Sequence, residues 1–368
     1  VKEFVCTPLE KVLKFIEESK YDGVFFRKRS NFAWITGGKD NHIVNTTENG
    51  VADLVIFADK KYCITSKMEL ARIHDEEIEG LGYEFITTEW YENQDAAVKS
   101  LCEGKLIASD VHFKPFEQCA SELSTLRYTL TEEEKERYRW LAQKAAKAVE
   151  TTAREIQPGW TEFEIQAHLA SKVIKEGINP QVILVSTDER VFNYRHPIPT
   201  EKKLQSYAMI VICAEKWGLV ANVTRFVHFG PLPKVLEDNK HRLVNIDIAM
   251  NRATRPGTLI KDVLESGFEQ YRAAGYGKDW RFLHQGGPTG YESREFLAVP
   301  EGPGVVNLHQ AFAWNPAIRG IKSEDTILVG DEDNEVLTHT GEWVYIEVQK
   351  DGKTYLRPDI LVREIVNE

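Results

Sequence analysis

The sequence predicts a two-domain chain, an α/β domain over residues 1–129 followed by an α+β domain over residues 130–368. Three observations predict it. The first part alternates short helical and strand-like runs, the signature of a partly covered sheet. Thr131-Glu132-Glu133-Glu134 is a capped, acidic helix start, after which long helices dominate. A length of 368 residues also exceeds what one hydrophobic core usually spans.

Taken in order, an amphipathic helix is expected over about Pro8 to Ser19. Strands are expected at Gly23–Phe26, Phe32–Ile35, Leu54–Phe57 and Lys61–Thr65, followed by a helix from Glu92 to Cys102 and a strand at Lys105–Ala108. The long helix opened at Thr131 runs through Ala153 and is broken by Gln157-Pro158-Gly159-Trp160. Thr161-Glu162-Phe163-Glu164 then caps a new helix to about Glu176. Strands follow around Ile183, over Met209–Ala214 and over Thr224–Phe229, then a helix from about Lys234 to Thr254. Arg255-Pro256-Gly257-Thr258 leads into a last helix, Ile260 to Ala274. The two Pro-Gly breaks stand nearly one hundred residues apart, each between long helices. They fit either an internal duplication or two ordinary helix breaks.

Composition narrows the function classes. Apolar residues at 42% and charged residues at 28% are ordinary for a folded protein, and no low-complexity tract argues for disorder. A net charge of -11 without a Lys/Arg stripe excludes a nucleic-acid surface from the expectations. No stretch approaches the roughly 18 consecutive apolar residues of a membrane span. Val1-Lys2-Glu3-Phe4 also lacks the layout of a signal peptide, so a cytoplasmic protein is expected. Cys6, Cys63, Cys102, Cys119 and Cys213 are scattered singly, which suits reduced thiols better than a disulfide framework or zinc site.

The run Val211-Ile212-Cys213-Ala214-Glu215-Lys216-Trp217-Gly218-Leu219-Val220-Ala221-Asn222-Val223-Thr224-Arg225 resembles the central hairpin of the Xaa-Pro peptidases, prolidases and creatinases. With both Pro-Gly breaks, the Gly286-Gly287-Pro288-Thr289-Gly290 turn, Phe312–Pro316, Ser323–Val329 and Glu335–Thr338, the resemblance covers the second half in family order. It implies the pita-bread fold, preceded by a creatinase-type N-terminal domain and assembled as a homodimer.

In the peptidases of that family two divalent metals are held by two Asp, one His and two Glu. The corresponding positions here are Val211, Asn222, Gly287, Asn315 and Glu324, of which only Glu324 is a matching ligand. Hard or borderline cations need anionic oxygen or imidazole donors, so no metal and no other cofactor is expected. The resemblance leaves two routes open: decay to a non-catalytic binding protein, or conversion to the metal-free chemistry of creatinase.

His196, in Arg195-His196-Pro197, occupies the place of the creatinase acid–base histidine. The resemblance makes it the catalytic candidate, with Glu324 orienting water or substrate; an imidazole moves protons either way near neutrality. Without the resemblance it reads as a loop histidine beside a proline. Asn222, Thr224 and Asn315 are candidate hydrogen-bonding groups to the substrate, Arg195 and Arg294 candidate anion contacts, and His284 and Tyr291 further polar contacts. Arg294-Glu295 reads equally as a surface ion pair. Creatinase holds its guanidinium with two Glu where this chain has Thr224 and Asn315, so creatine is not the expected substrate. The expectation is a C–N hydrolase acting on a small amide, lactam or N-substituted amino acid. A metal-dependent Xaa-Pro peptidase with unusual ligands and a non-catalytic binding protein are the alternatives. Arg27, Arg29 and Asn31 are read as a segment that reaches a partner's site or as a solvated basic run.

Overall fold

A computed structural model describes residues 6–364. The reading of Val1-Lys2-Glu3-Phe4 lies outside the described residues. Two compact units are present: the described residues up to Glu134 together with Trp217–Leu219, and Lys135–Lys216 together with the described residues from Val220 onward.

In the first unit Thr7 and Glu10 form a reciprocal capping box that starts the helix Pro8–Glu18. The unit is built on a six-stranded mixed sheet in the order Glu84–Thr88, Lys61–Ser66, Asn49–Phe57, Gly23–Lys28, Ile107–Ser109, Glu117–Gln118. Phe25, Val55, Ile64 and Ile107 pack with Val98 of the helix Gln94–Leu101 to make its core. One expectation fails here. Phe32–Ile35 is not a strand but the end of a helix, Arg29–Ile35. Asp110 accepts hydrogen bonds from the Arg27 and Lys28 backbone N–H groups (2.9 and 3.0 Å) and from Asn31 Nδ2 (2.9 Å). These bonds tie the end of the Gly23–Lys28 strand where the chain turns into the helix. Four consecutive apolar residues fit a strand buried on both faces or a short buried helix, and periodicity cannot separate the two. Arg27, read as part of a solvated basic run, is instead held by a bidentate bond to Asp53 and a further one to Asp95 at 2.7 Å.

The helix Glu132–Glu155 starts in the first unit and continues into the second, and three glutamates occupy its first turn, the end of the helix dipole that favours them. Thr161 and Glu164 make the expected capping box on the helix Glu162–Ile174. A four-stranded sheet runs in the order Leu361–Arg363, Leu219–Phe229, Tyr207–Lys216, Asn179–Thr187. A second, antiparallel sheet runs in the order Gly286–Thr289, Ala311–Trp314, Asp325–Leu328, Glu335–Val336. Gly286-Gly287-Pro288-Thr289, expected as a turn, is therefore a strand. The helices Lys234–Ala253 and Ile260–Ala273 bury Leu243, Met250, Val263 and Phe268 in one core with Phe312, Trp314 and Ile327 of that sheet.

The Pro-Gly breaks are structurally equivalent. Gly159 N–H donates to Leu204 O at 2.7 Å and Gly257 N–H to Val306 O at 2.9 Å. Each is followed by an isolated antiparallel bridge, Thr161 with Lys203 and Leu259 with Val305. Both glycines have positive φ, 94° and 86°, which a side chain rarely adopts. Matching bonds at matching offsets favour the duplication over two unrelated breaks.

Several hydrogen bonds join the sheets where the site forms. Thr224 N–H donates to Glu324 O at 3.1 Å, and Asn222 N–H donates to Thr326 Oγ1 at 2.8 Å. Beneath them Arg225 is fully buried, with Nη1 on Asp325 at 2.9 Å and Nε on Glu150 at 3.3 Å, so the hairpin is anchored by charges that are paired rather than left bare.

Candidate active site

Glu324 lies at the centre. Its Oε1 accepts Arg294 Nη2 at 2.9 Å, and its Oε2 accepts Lys322 Nζ at 2.7 Å and Thr224 Oγ1 at 2.7 Å. The same Arg294 Nη2 donates to Asn315 Oδ1 at 2.8 Å, and Asn315 Nδ2 donates to His284 O at 2.7 Å. Thr224, Glu324, Arg294, Asn315 and His284 thus form one connected chain. Side-chain exposures of 10% for Arg294, 8% for Lys322 and 5% for Glu324 make it a buried ionic cluster rather than a surface pair. Arg294 pairs with Glu324, not with its neighbour Glu295.

Glu324 is held well below the ordinary carboxyl value of 4.5, at about 2. Its burial pushes the other way and is overcome by the Lys322 and Arg294 cations and the hydrogen bonds from Lys322 and Thr224. A carboxylate so engaged keeps its charge and is a poor proton acceptor. It lies between two cations, one on each oxygen. Because its pKa is lower folded than unfolded, it stabilises the fold fully above about pH 4.5, and that contribution is lost as the pH falls toward about 2. Asp325, depressed further by Arg225 and Arg357, acts in the same direction. The melting temperature should therefore fall steeply between pH 4.5 and 2. A curve that stays flat across that window in thermal scans would contradict this pairing.

His196 and His284 face each other with ring centroids 5.6 Å apart. His284 is pushed down to about 4 by burial, then by Arg294 and His196, so its ring is neutral at neutral pH. Its Nδ1 is buried with no hydrogen-bond partner among the described residues. His196, more exposed at the mouth, is also lowered, first by partial burial, then by Lys322, against the opposing pull of Glu324. Arg195, although adjacent in sequence, is not among the charges that shift it. Its guanidinium turns instead to Ile318 O at 3.5 Å, and Lys322 and Arg294 supply the charge.

Asn222 is fully buried one layer behind, with Nδ2 on Thr289 Oγ1 at 3.1 Å and Oδ1 unpartnered among the described residues. Tyr291 is buried, its backbone N–H on Glu295 Oε1. Lys322 was missed by the sequence reading. The signal was available: residues two apart in an extended segment share a face, so Lys322 accompanies Glu324. Among the cysteines, burial pushes Cys63 and Cys213 up to about 12 and Cys102 up to about 11, which leaves these thiols protonated and unreactive.

The residues present do not fit a pair of divalent metals. Val211 and Gly287 have no donor, and both Asn315 side-chain atoms and both Glu324 oxygens are engaged by protein groups. Among the described residues no group of three or more His, Cys, Asp or Glu could hold a metal ion. The backbone leaves no room for a ligand either. At Gly287, with φ 151°, an added Cβ would lie 2.7 Å from Phe296 O, so a histidine cannot be restored there without moving the strand.

The description of metallopeptidase family M24 matches residues 136–331, more than half of the chain. The chain belongs to this family. An uncharacterized peptidase of Staphylococcus aureus strain USA300 is 24% identical over 249 residues, covering 64% of this M24 chain and 69% of the relative. A prolidase from Pyrococcus horikoshii OT3 superimposes with a TM-score of 0.76 at 17% identity, over 90% of this chain and 98% of the prolidase. The N-terminal domain of FACT complex subunit SPT16 from chickpea reaches 0.68 at 11% identity, over 91% and 95%. These likenesses carry the fold: the M24 pita-bread domain with a prolidase-like N-terminal domain before it. No helix among the described residues is long and apolar enough to cross a membrane.

Proposed function

We propose that this M24 member is a metal-independent hydrolase of the C–N bond of a small amide, lactam or N-substituted amino acid. The observation that carries this reading is the buried Lys322–Glu324–Arg294 cluster, which puts side-chain cations against the one carboxylate that the family's metal ligand set retains. The Pyrococcus protein is a prolidase, and amide hydrolysis is the chemistry carried over from it.

In this reading His196, neutral at neutral pH, accepts a proton from the water that attacks the carbonyl carbon. A C–O bond forms and negative charge gathers on the carbonyl oxygen. The imidazolium then returns the proton to the leaving nitrogen as the C–N bond breaks, giving an acid and an amine. Arg294 and Lys322 are the cations available to stabilise that charge, and they act strongly because they are preorganised and shielded from water. His284 stays neutral and orients, and Glu324 positions both cations. Asn222, Thr224 and Asn315 shape the polar floor. Arg195 stands at the rim, where it lines a crevice with Lys322 and Tyr194. A homodimer in the cytoplasm, with residues 130–368 as its catalytic domain, completes the proposal.

A panel of N-acyl amino acids, lactams and dipeptides, assayed with and without a chelator, tests it. Turnover that persists in the chelator is the expected result. Turnover that appears only with added metal would return the protein to the metal-dependent peptidases, and saturable binding without turnover would make it a binding protein.

A further inference from the structure

A crevice separate from the catalytic cluster lies between the helix Lys234–Ala253 and the hairpin of Tyr345–Lys350 with Lys353–Pro358. Its volume is about 450 Å³, within the roughly 300–1,000 Å³ of small-molecule sites. None of the catalytic-site residues described above lines it. Periodicity builds its walls. Ile248, Asn251 and Arg252 fall three and four apart on the helix and so share a face, while Lys353, Tyr355 and Arg357 alternate along the strand and share another. Tyr355 packs on a small apolar cluster that includes Ile248, and with Val336 these residues make the crevice's apolar surface. The lining charges are mostly of one sign: Arg252, Arg255, Lys353 and Arg357 are cations, and Asp333 is the one lining carboxylate among the described residues. Arg357 is matched from beneath, with Nη2 on Asp325 at 2.9 Å and Nε on Asp247. The other three lean on acids that face water. Asp333 serves both Lys353, at 2.8 Å, and Arg255, at 3.5 Å, and Asp351 pairs with Arg252. Those carboxylates are 59% and 70% exposed, whereas Arg252 and Arg255 are 30% and 27% exposed. Three cations against two hydrated, screened acids leave the crevice electropositive.

We propose that this crevice is a second ligand site, which takes a small organic monoanion with a flat apolar body. One negative charge balances the excess at the rim. Arg252 and Arg255 gain by turning from exposed partners to an anion held between them, because a shielded charge pair is screened less than one in water. The apolar body packs on Tyr355, whose ring already lies 5.7 Å from the Arg252 guanidinium. The two sites are neighbours that share no residue. Arg357 and His339, both in the crevice wall, contact Asp325, which follows Glu324 in the chain.

Fluorescence titration of the whole protein with anilinonaphthalene sulfonate, an aromatic monoanion, and with phenylnaphthylamine, the same rings without the charge, tests the site and needs no turnover. Saturation at one sulfonate per chain, with the neutral rings bound at least ~10-fold more weakly, is expected. The double variant Arg252→Gln with Arg255→Gln should weaken the sulfonate by at least ~10-fold. Asp351→Asn should strengthen it by up to ~5-fold, because a competing carboxylate is gone, and a gain of affinity is not a symptom of lost folding. Asparagine tolerates the positive φ of 52° at that position, so the hairpin is kept. Lys322→Gln, in the catalytic cluster, should leave the affinity unchanged. Equal affinity for the neutral rings, wild-type affinity in both the double variant and Asp351→Asn, or loss of binding in Lys322→Gln would overturn the site.

Discussion

Replacing Glu324 by glutamine should destabilise the protein by about 3–5 kcal/mol, the cost of stripping the counter-charge from a buried ion cluster. The isosteric side chain keeps the volume but leaves Lys322 and Arg294 facing each other with no anion between them. At side-chain exposures of 8% and 10%, water compensates them poorly. The loss should appear in urea denaturation as a lower midpoint with an unchanged slope. Adding Lys322→Met should recover part of it, because the double variant buries one unpaired cation instead of two. A Glu324→Gln cost under about 1 kcal/mol would mean the cations are hydrated like those of a surface pair.

The second large effect concerns the histidine. His196→Asn should lower kcat by about 10²–10⁴-fold while leaving folding and ligand affinity nearly intact, since general acid–base groups contribute on that scale. The base form must be neutral, so the rate should rise with pH through the His196 pKa. That limb should lie below the ordinary imidazole value of 6.5, because partial burial, Lys322 and Arg294 all disfavour the imidazolium. Lys322→Gln should move the limb upward, a shift that a merely structural lysine would not cause. His284→Asn serves as the control, since His284 is neutral at the working pH and carries no proton in this scheme. Full turnover in the His196 variant together with a dead His284 variant would show that the wrong histidine was assigned.

Much of the fold was legible because its signals are local. Thr161 and Glu164 announce a helix start through chemistry contained within four residues, and the structure shows that capping box. The Pro-Gly breaks were legible as phrases, but their equivalence required the partners Leu204 and Val306, which lie some fifty residues away in the chain. Phe32–Ile35 was misread because both strand and helix would bury all four residues. The choice was made by the Asp110 carboxylate, far off in sequence.

In the site, the loss of metal ligands could be read position by position, whereas what replaced them could not. Arg294 and Lys322 meet only because the Asp325–Leu328 strand pairs with Ala311–Trp314, which in turn pairs with Gly286–Thr289. Charge effects misled for the same reason. Arg195 adjoins His196 along the chain, but its guanidinium is drawn to Ile318 O, and the influential cation belongs to Lys322, 126 residues further on. Covalent neighbours need not be electrostatic neighbours.

The claim on which the rest depends is that side-chain cations have displaced the metal centre of the family. Elemental analysis of the purified protein, before and after dialysis against excess Mn, Co or Zn, addresses it most directly. The account predicts less than one tightly bound transition metal per chain in every case and a melting temperature indifferent to chelators, because a protein gains no stability from a metal it does not hold. Two metals per chain that survive dialysis, with a melting temperature that drops on chelation, would contradict it.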